Sequence, residues 1–187
     1  MFVQWYRKNR KFLKRGVKIA LYGSFLIFIV VFFEHFFKFP LLTAVLGPTA
    51  YVFAAHPQSE TARIRNATIG HSCAVLVGVS TLAVFGFVNN HTSLSSLSFS
   101  WYQVLTVTVA LFLTLFLLEV LKSHHAPAAG TVILISSGLA SYGLHLIGLV
   151  VGLASIILMA AILNHFLPNY KGSHHGGDSP KVNQRHW

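Results

Sequence analysis

Four runs of about 20 apolar residues, 17–37, 67–88, 101–121 and 145–166, constrain this chain more than any other feature. At 1.5 Å per residue each reaches across a hydrocarbon core of about 30 Å, where every backbone amide needs a partner within its own helix. The fold class follows: all-α, a polytopic transmembrane helix bundle. With 54% hydrophobic residues, 10% charged residues and a mean hydropathy of +0.63, the composition fits no soluble domain, which carries about 25% charge.

Between the long runs lie two shorter apolar segments interrupted by Gly and Pro, 40–55 (PLLTAVLGPTAYVFAA) and 127–142 (PAAGTVILISSGLASY). Each spans about 24 Å if wholly helical, short for a straight crossing and ample for a broken one. The chain thus reads long, short, long, twice over. Loop charges choose between six crossings and four crossings with two re-entrant dips. Six put the amino terminus, Arg63, Arg65, Lys122, Lys171, Lys181 and Arg185 on the cytoplasmic side and leave only Lys38 outside. Re-entrant segments would send Lys38, Arg63, Arg65 and Lys122 outside and bring the charge-free loop 89–100 in. The positive-inside bias favours six.

With three crossings per half, the second half enters the membrane in the opposite direction, so 17–88 and 101–166 are expected to form an inverted 3+3 repeat. Glu34 and Lys38 precede Pro40 as Glu119 and Lys122 precede Pro127. Gly47 and Thr49 correspond to Gly130 and Thr131, and His71 with Gly78 to His145 with Gly152. The expected organisation is a basic cytoplasmic segment 1–16, a transmembrane domain 17–166 and a polar, disordered tail 167–187 without a packable face.

The formal charge of +10 is unevenly placed, with seven of the fourteen basic residues between Arg7 and Lys18. Directly before an apolar run, such a cluster holds the terminus in the cytoplasm and attracts anionic lipid heads; it does not call for nucleic acid. The run behind it is too long for a cleaved signal and reads as a signal anchor. The lone Cys73 allows no intrachain disulfide. Four acidic residues and no phosphate loop, CxxC, HExxH or GxSxG pattern leave no basis for a hydrolytic enzyme, and no catalytic residue, cofactor or metal is expected.

Chemistry is expected at the short segments. Gly47-Pro48 removes a backbone donor and permits a turn after which Pro48 begins a helix; Pro127 suits a first helical position, and Gly130 lies in a small-residue run. Helix starts inside a membrane present amides and partial positive charge that favour anions, with Thr49 and Thr131 adding hydroxyls. The alternative is close helix packing by small residues. Arg65 beside Asn66 could draw an anion to the mouth or only set topology. Glu34, Glu119 and His145 are candidates for proton coupling, against the reading of Glu34 with Lys38 and Glu119 with Lys122 as helix-end pairs. His71 and His125 could donate to an anion or change charge near neutrality.

The sequences RNATIGH, 65–71, and SHHAPAAGT, 123–131, resemble the two signatures of the HPP family of small integral membrane proteins. That family is named for a His-Pro-Pro motif followed by Ala-Gly-Ala-Thr, and has an Arg-Asn…Gly-His motif opening a transmembrane helix. Arg65, Asn66, Gly70 and His71 match the second motif. His125, Pro127, Ala128 and Thr131 match the first, with Ala126 in place of the first proline and Ala129-Gly130 in place of Gly-Ala. The resemblance covers nearly all of 17–166. It implies a transporter described with four transmembrane helices, and plant chloroplast relatives are associated with nitrite transport.

The leading expectation is therefore a transporter or channel for a small inorganic anion, nitrite first, in a bacterial inner (plasma) membrane with both termini cytoplasmic. A structural or partner-binding membrane subunit is the alternative. A haem-binding redox protein, drawing on His35, His71, His145 and His165, is a weaker one. Six helices enclose a site only narrowly, which is compatible with a homo-oligomer.

Overall fold

The computed structural model describes residues 2–41, 43–88, 101–140 and 143–166. The loop 89–100 and the tail 167–187, expected to be disordered, lie outside the described residues. Among the described residues the chain is all helical: α1 (Phe2–Phe37), α2 (Leu46–Ala55), a single 3-10 turn (Glu60–Ala62), α3 (Ile64–Val88), α4 (Trp101–Val120), α5 (Pro127–Ser136) and α6 (Leu144–Phe166). Four of these helices, α1, α3, α4 and α6, are long and apolar enough to cross a membrane. The protein is an integral membrane protein.

The long helices form where the apolar runs predict them, with one extension. The basic segment continues the first long helix, as α1 runs unbroken from Phe2 to Phe37. Its outer face carries exposed Phe28, Phe32 and Phe36, whose rings follow one another at 6.1 and 6.4 Å, as suits a surface solvated by acyl chains. Both α1 and α4 stop at a lysine in the left-handed region, Lys38 (φ 53°) and Lys122 (φ 50°). After α4 the Ser123 amide bonds the Leu118 carbonyl at 2.9 Å and the Lys122 amide bonds that of Glu119 at 3.0 Å, a Schellman stop in which a lysine occupies the place usually given to glycine.

The first short segment runs back along α1 instead of turning round part way. An Arg15 guanidinium N–H donates to the Ala55 carbonyl at 3.5 Å, so α2 ends beside Arg15. Lys38 begins the returning link at the far end of α1, about 33 Å away at 1.5 Å per residue. The chain covers that distance partly as the link 38–45 and partly as α2. Such non-helical backbone survives at depth only when buried in protein, and α6 supplies the cover. Gly148 and Gly152 lie directly against the carbonyls of Pro40 and Leu41, where a side chain would collide. The expected start of α2 at Pro48 shifts to Leu46. Pro48 takes the third helical position, where its missing N–H is one of the unpaired first-turn donors.

The second short segment makes the return trip. Helix α5 starts near the 3-10 turn and its far end leads through 137–143 to α6, whose first turns touch Pro40. Gly70 lies against His125 and Ala128, and Gly78 against Ile135, so the contacts advance together and α3 and α5 run parallel. Small buried residues, Ala74, Ala110 and Ala128, let α3, α4 and α5 approach closely. A larger core joins α1, α2 and α6 through Leu26, Leu46, Phe53, Leu149 and Ile156.

Candidate functional site

Helices α2, α3 and α5 meet at His71, which is 4% exposed. Helix α3 brings this ring between the short helices because Gly70, one residue earlier, allows α5 to sit against the α3 backbone; a Cβ there would be 3.0 Å from the Cβ of His125. His71 Nδ1 is 2.8 Å from Thr131 Oγ1 of α5. His71 Nε2 is 3.2 Å from Thr49 Oγ1 of α2 and 3.0 Å from His125 Nε2. The two rings stand edge to face, 4.7 Å apart. His125 Nδ1 reaches the Thr61 carbonyl at 2.6 Å, and Phe53 packs 6.4 Å from the His125 ring.

The proton positions follow from chemistry. A carbonyl only accepts, so His125 Nδ1 carries a hydrogen and its Nε2, in the neutral ring, carries a lone pair. His71 Nε2 must then donate to His125, which leaves His71 Nδ1 to accept the Thr131 hydroxyl. Thr49 donates to the Val45 carbonyl at 3.0 Å and offers its oxygen to the His71 N–H. Every polar hydrogen in this buried cluster has an acceptor. Unpaired, such groups would cost several kcal/mol each, so the cluster acts as a tie across three helices.

Next to the tie, between α2 and α5, lies an apolar cavity of ≈ 540 Å³ lined by Val45, Pro48, Ala126, Pro127, Gly130 and Leu139. Val45, just before α2, lies there against Gly130 in the early part of α5. A second cavity of ≈ 610 Å³ separates α3 from α6 and is bordered by Thr68, His71 and Ser72.

The sequence candidates thus divide. Thr49, His71, His125 and Thr131 form the buried cluster, and Pro48, Pro127 and Gly130 line the adjoining cavity. Gly47 faces the other way, into a groove against α1. Asn66 is buried, but its side-chain N–H donates to the Glu60 carbonyl at 2.9 Å and its own carbonyl accepts from Ser123 Oγ at 2.9 Å, so it secures the 3-10 turn and the start of α5. Arg65 is exposed near this turn. Glu119 and His145 are exposed and Glu34 is half-buried on α1; none joins the cluster. Glu119 Oε2 lies 3.9 Å from His124 Nδ1.

Sequence reading missed three contributors. The Thr61 carbonyl lies in a link without a motif, and a backbone acceptor has no residue signature. Ser123 carries a signal in hindsight, since it opens the SHHAPAAGT motif and is fully buried. Phe53 was indistinguishable from any other apolar residue of its segment.

Among the described residues no group of three or more His, Cys, Asp or Glu is placed to hold a metal ion. His35, His145 and His165 are exposed, and both ring nitrogens of His71 are engaged within the cluster.

The chain matches the family model described as HPP, transmembrane region, over residues 10–171. Comparison with curated proteins and with solved structures gives no match.

Proposed function

The chain belongs to the HPP family, and from that premise we propose that it carries a small inorganic anion, nitrite foremost, across a membrane past the meeting point of α2 and α5. Family membership and the four long apolar helices are consistent with a membrane transporter in general. The anion is the further step. One observation carries it: His71 ties Thr49 and Thr131, side chains at the starts of the two short helices, in a polar cluster inside an otherwise apolar bundle. Polar groups held at such depth are costly and are retained for function.

The inverted repeat belongs to the same proposal. One residue offset separates Leu46 from Ala128, Thr49 from Thr131 and Gly70 from Gly152. Gly152 packs on Leu46 as Gly70 packs on Ala128. Two halves with such matched contacts can rock against a shared site, as inverted-repeat transporters do. The proposal assigns no enzymatic step, and gives the basic start of α1 to anionic lipid.

The test is flux in reconstituted vesicles. Purified protein is expected to move nitrite, and nitrate or formate at other rates, faster than protein-free vesicles. Rates equal to protein-free vesicles for all three anions would remove the reading.

A further inference from the structure

We propose that the His71–His125 pair takes up one proton with each anion, which makes the protein a proton–anion symporter. This deepens the anion reading and rests on it.

The argument begins with charge. A monovalent anion inside an apolar bundle needs a counter-charge, because an unpaired buried ion costs several kcal/mol. No permanent cation among the described residues is buried with the cluster. On α2 the pair meets Thr49 and Phe53, on α5 Thr131 and Ala128, and in the 3-10 turn a carbonyl. Across the cavity beside His71, α6 presents only apolar groups such as Leu153 and Ile157. The charged residues of neighbouring segments lie outside: Glu60 and Arg63 pair with each other at 3.2 Å on the surface, Arg65 and Lys122 are exposed, and Glu119 lies beside exposed His124. The two histidines are therefore the groups that can supply positive charge where the short helices meet.

Their geometry suits a charge that comes and goes. In the neutral pair His71 Nε2–H donates to the lone pair of His125 Nε2 at 3.0 Å. A proton from bulk water adds to that lone pair. Both Nε2 atoms then carry hydrogen, the bond between the rings is lost, and the freed N–H groups have an anion to donate to. The loaded site, one imidazolium with one anion, is neutral. When the anion leaves on the other side the proton leaves His125 Nε2 for water, the bond between the rings re-forms, and the empty site is neutral again. Neither form carries net charge through the apolar bundle. The same bond also ties α3 to the start of α5, so protonation loosens one contact between the two halves of the chain.

The experiment uses full-length protein in vesicles containing a pH-sensitive dye, with sodium nitrite and sodium nitrate as probes and rates read above protein-free vesicles. The expected result is acidification of the lumen at one proton per anion. Uptake should respond to an inward pH gradient, by up to about tenfold per unit, and not to an imposed membrane potential. Anion uptake that follows the potential without acidification would overturn the symport and leave the anion reading standing. No uptake of either anion would overturn both. His125→Asn keeps a side-chain N–H for the Thr61 carbonyl without a titratable group. If it elutes as folded protein, proton movement should be lost; one-to-one coupling in this variant would also overturn the proposal, and the wild-type stoichiometry decides the matter even if the variant does not fold.

Discussion

Gly152→Ala tests the part of the fold on which the site depends, the link 38–45 laid against α6. A Cβ at residue 152 would sit 2.5 Å from the Leu41 carbonyl oxygen and 3.3 Å from Leu46 Cδ1. Carbon and carbonyl oxygen keep about 3.3 Å apart, so backbone must move by about 0.8 Å. Overpacking of this kind costs about 1–3 kcal/mol, and the upper end applies because the obstacle is main chain with no rotamer to change. Against it stands a gain of about 1 kcal/mol for alanine over glycine in a helix. The net loss is about 2 kcal/mol, or about 4–8 °C in melting temperature for a chain of this size. Gly23→Ala is the control, because its Cβ would meet Ala54 at an ordinary 3.7 Å and should leave stability unchanged or raised. Melting of the detergent-solubilised variants, followed by the monodisperse fraction surviving each temperature, compares them. If Gly152→Ala melts at or above Gly23→Ala, the link does not lie where it is described.

Three further outcomes follow from individual contacts. Thr131→Val leaves His71 Nδ1 without its donor, a loss of about 1–2 kcal/mol in a membrane interior, whereas Thr49→Val loses less because the Thr49 hydroxyl is first a donor to its own helix; thermal melts should rank them in that order. Lys122→Gly should raise stability by about 1 kcal/mol, since φ 50° strains any residue with a Cβ and the lysine is exposed, and an unchanged or lower melting temperature would contradict the Schellman stop. Asn66→Ala should lower stability and leave the KM for anion flux unaltered, while Arg65→Ala should raise KM at low salt and lose that effect as salt screens it. A change in KM for Asn66→Ala alone would return this residue to the binding site.

Much of this arrangement is legible in the sequence because lipid imposes simple rules. Run length marks α1, α3, α4 and α6, and Gly and Pro mark the two short helices. Thr49 with Thr131, and His71 with His125, could be singled out by position in those segments and in the two motifs. What escaped depends on how the helices pass one another. His71 with Gly78 matches His145 with Gly152 as text, yet Gly152 makes the close contact that Gly70 makes on α3, and His145 is exposed. Spacing along one helix cannot say which glycine meets a neighbouring backbone. The carboxylates Glu34 and Glu119 drew notice because acids are rare here, and rarity in composition says nothing about depth.

Depth is what ties the fold to the chemistry. A continuous helix in place of 38–55 would keep its amide groups paired throughout and would present no helix start inside the bundle. Breaking it leaves polar backbone in an apolar setting, tolerable only because Gly148 and Gly152 let α6 cover the Pro40 and Leu41 carbonyls. That cover fixes where α2 begins, and so where Thr49 meets His71. On the other side Gly70 fixes how closely α5 approaches α3, and so where Thr131 and His125 meet the same ring. The glycines therefore set the site without touching anything that passes through it. Small residues on α3 and α6 should be as intolerant of substitution as the histidines themselves, but their loss should show first in stability and only through it in transport.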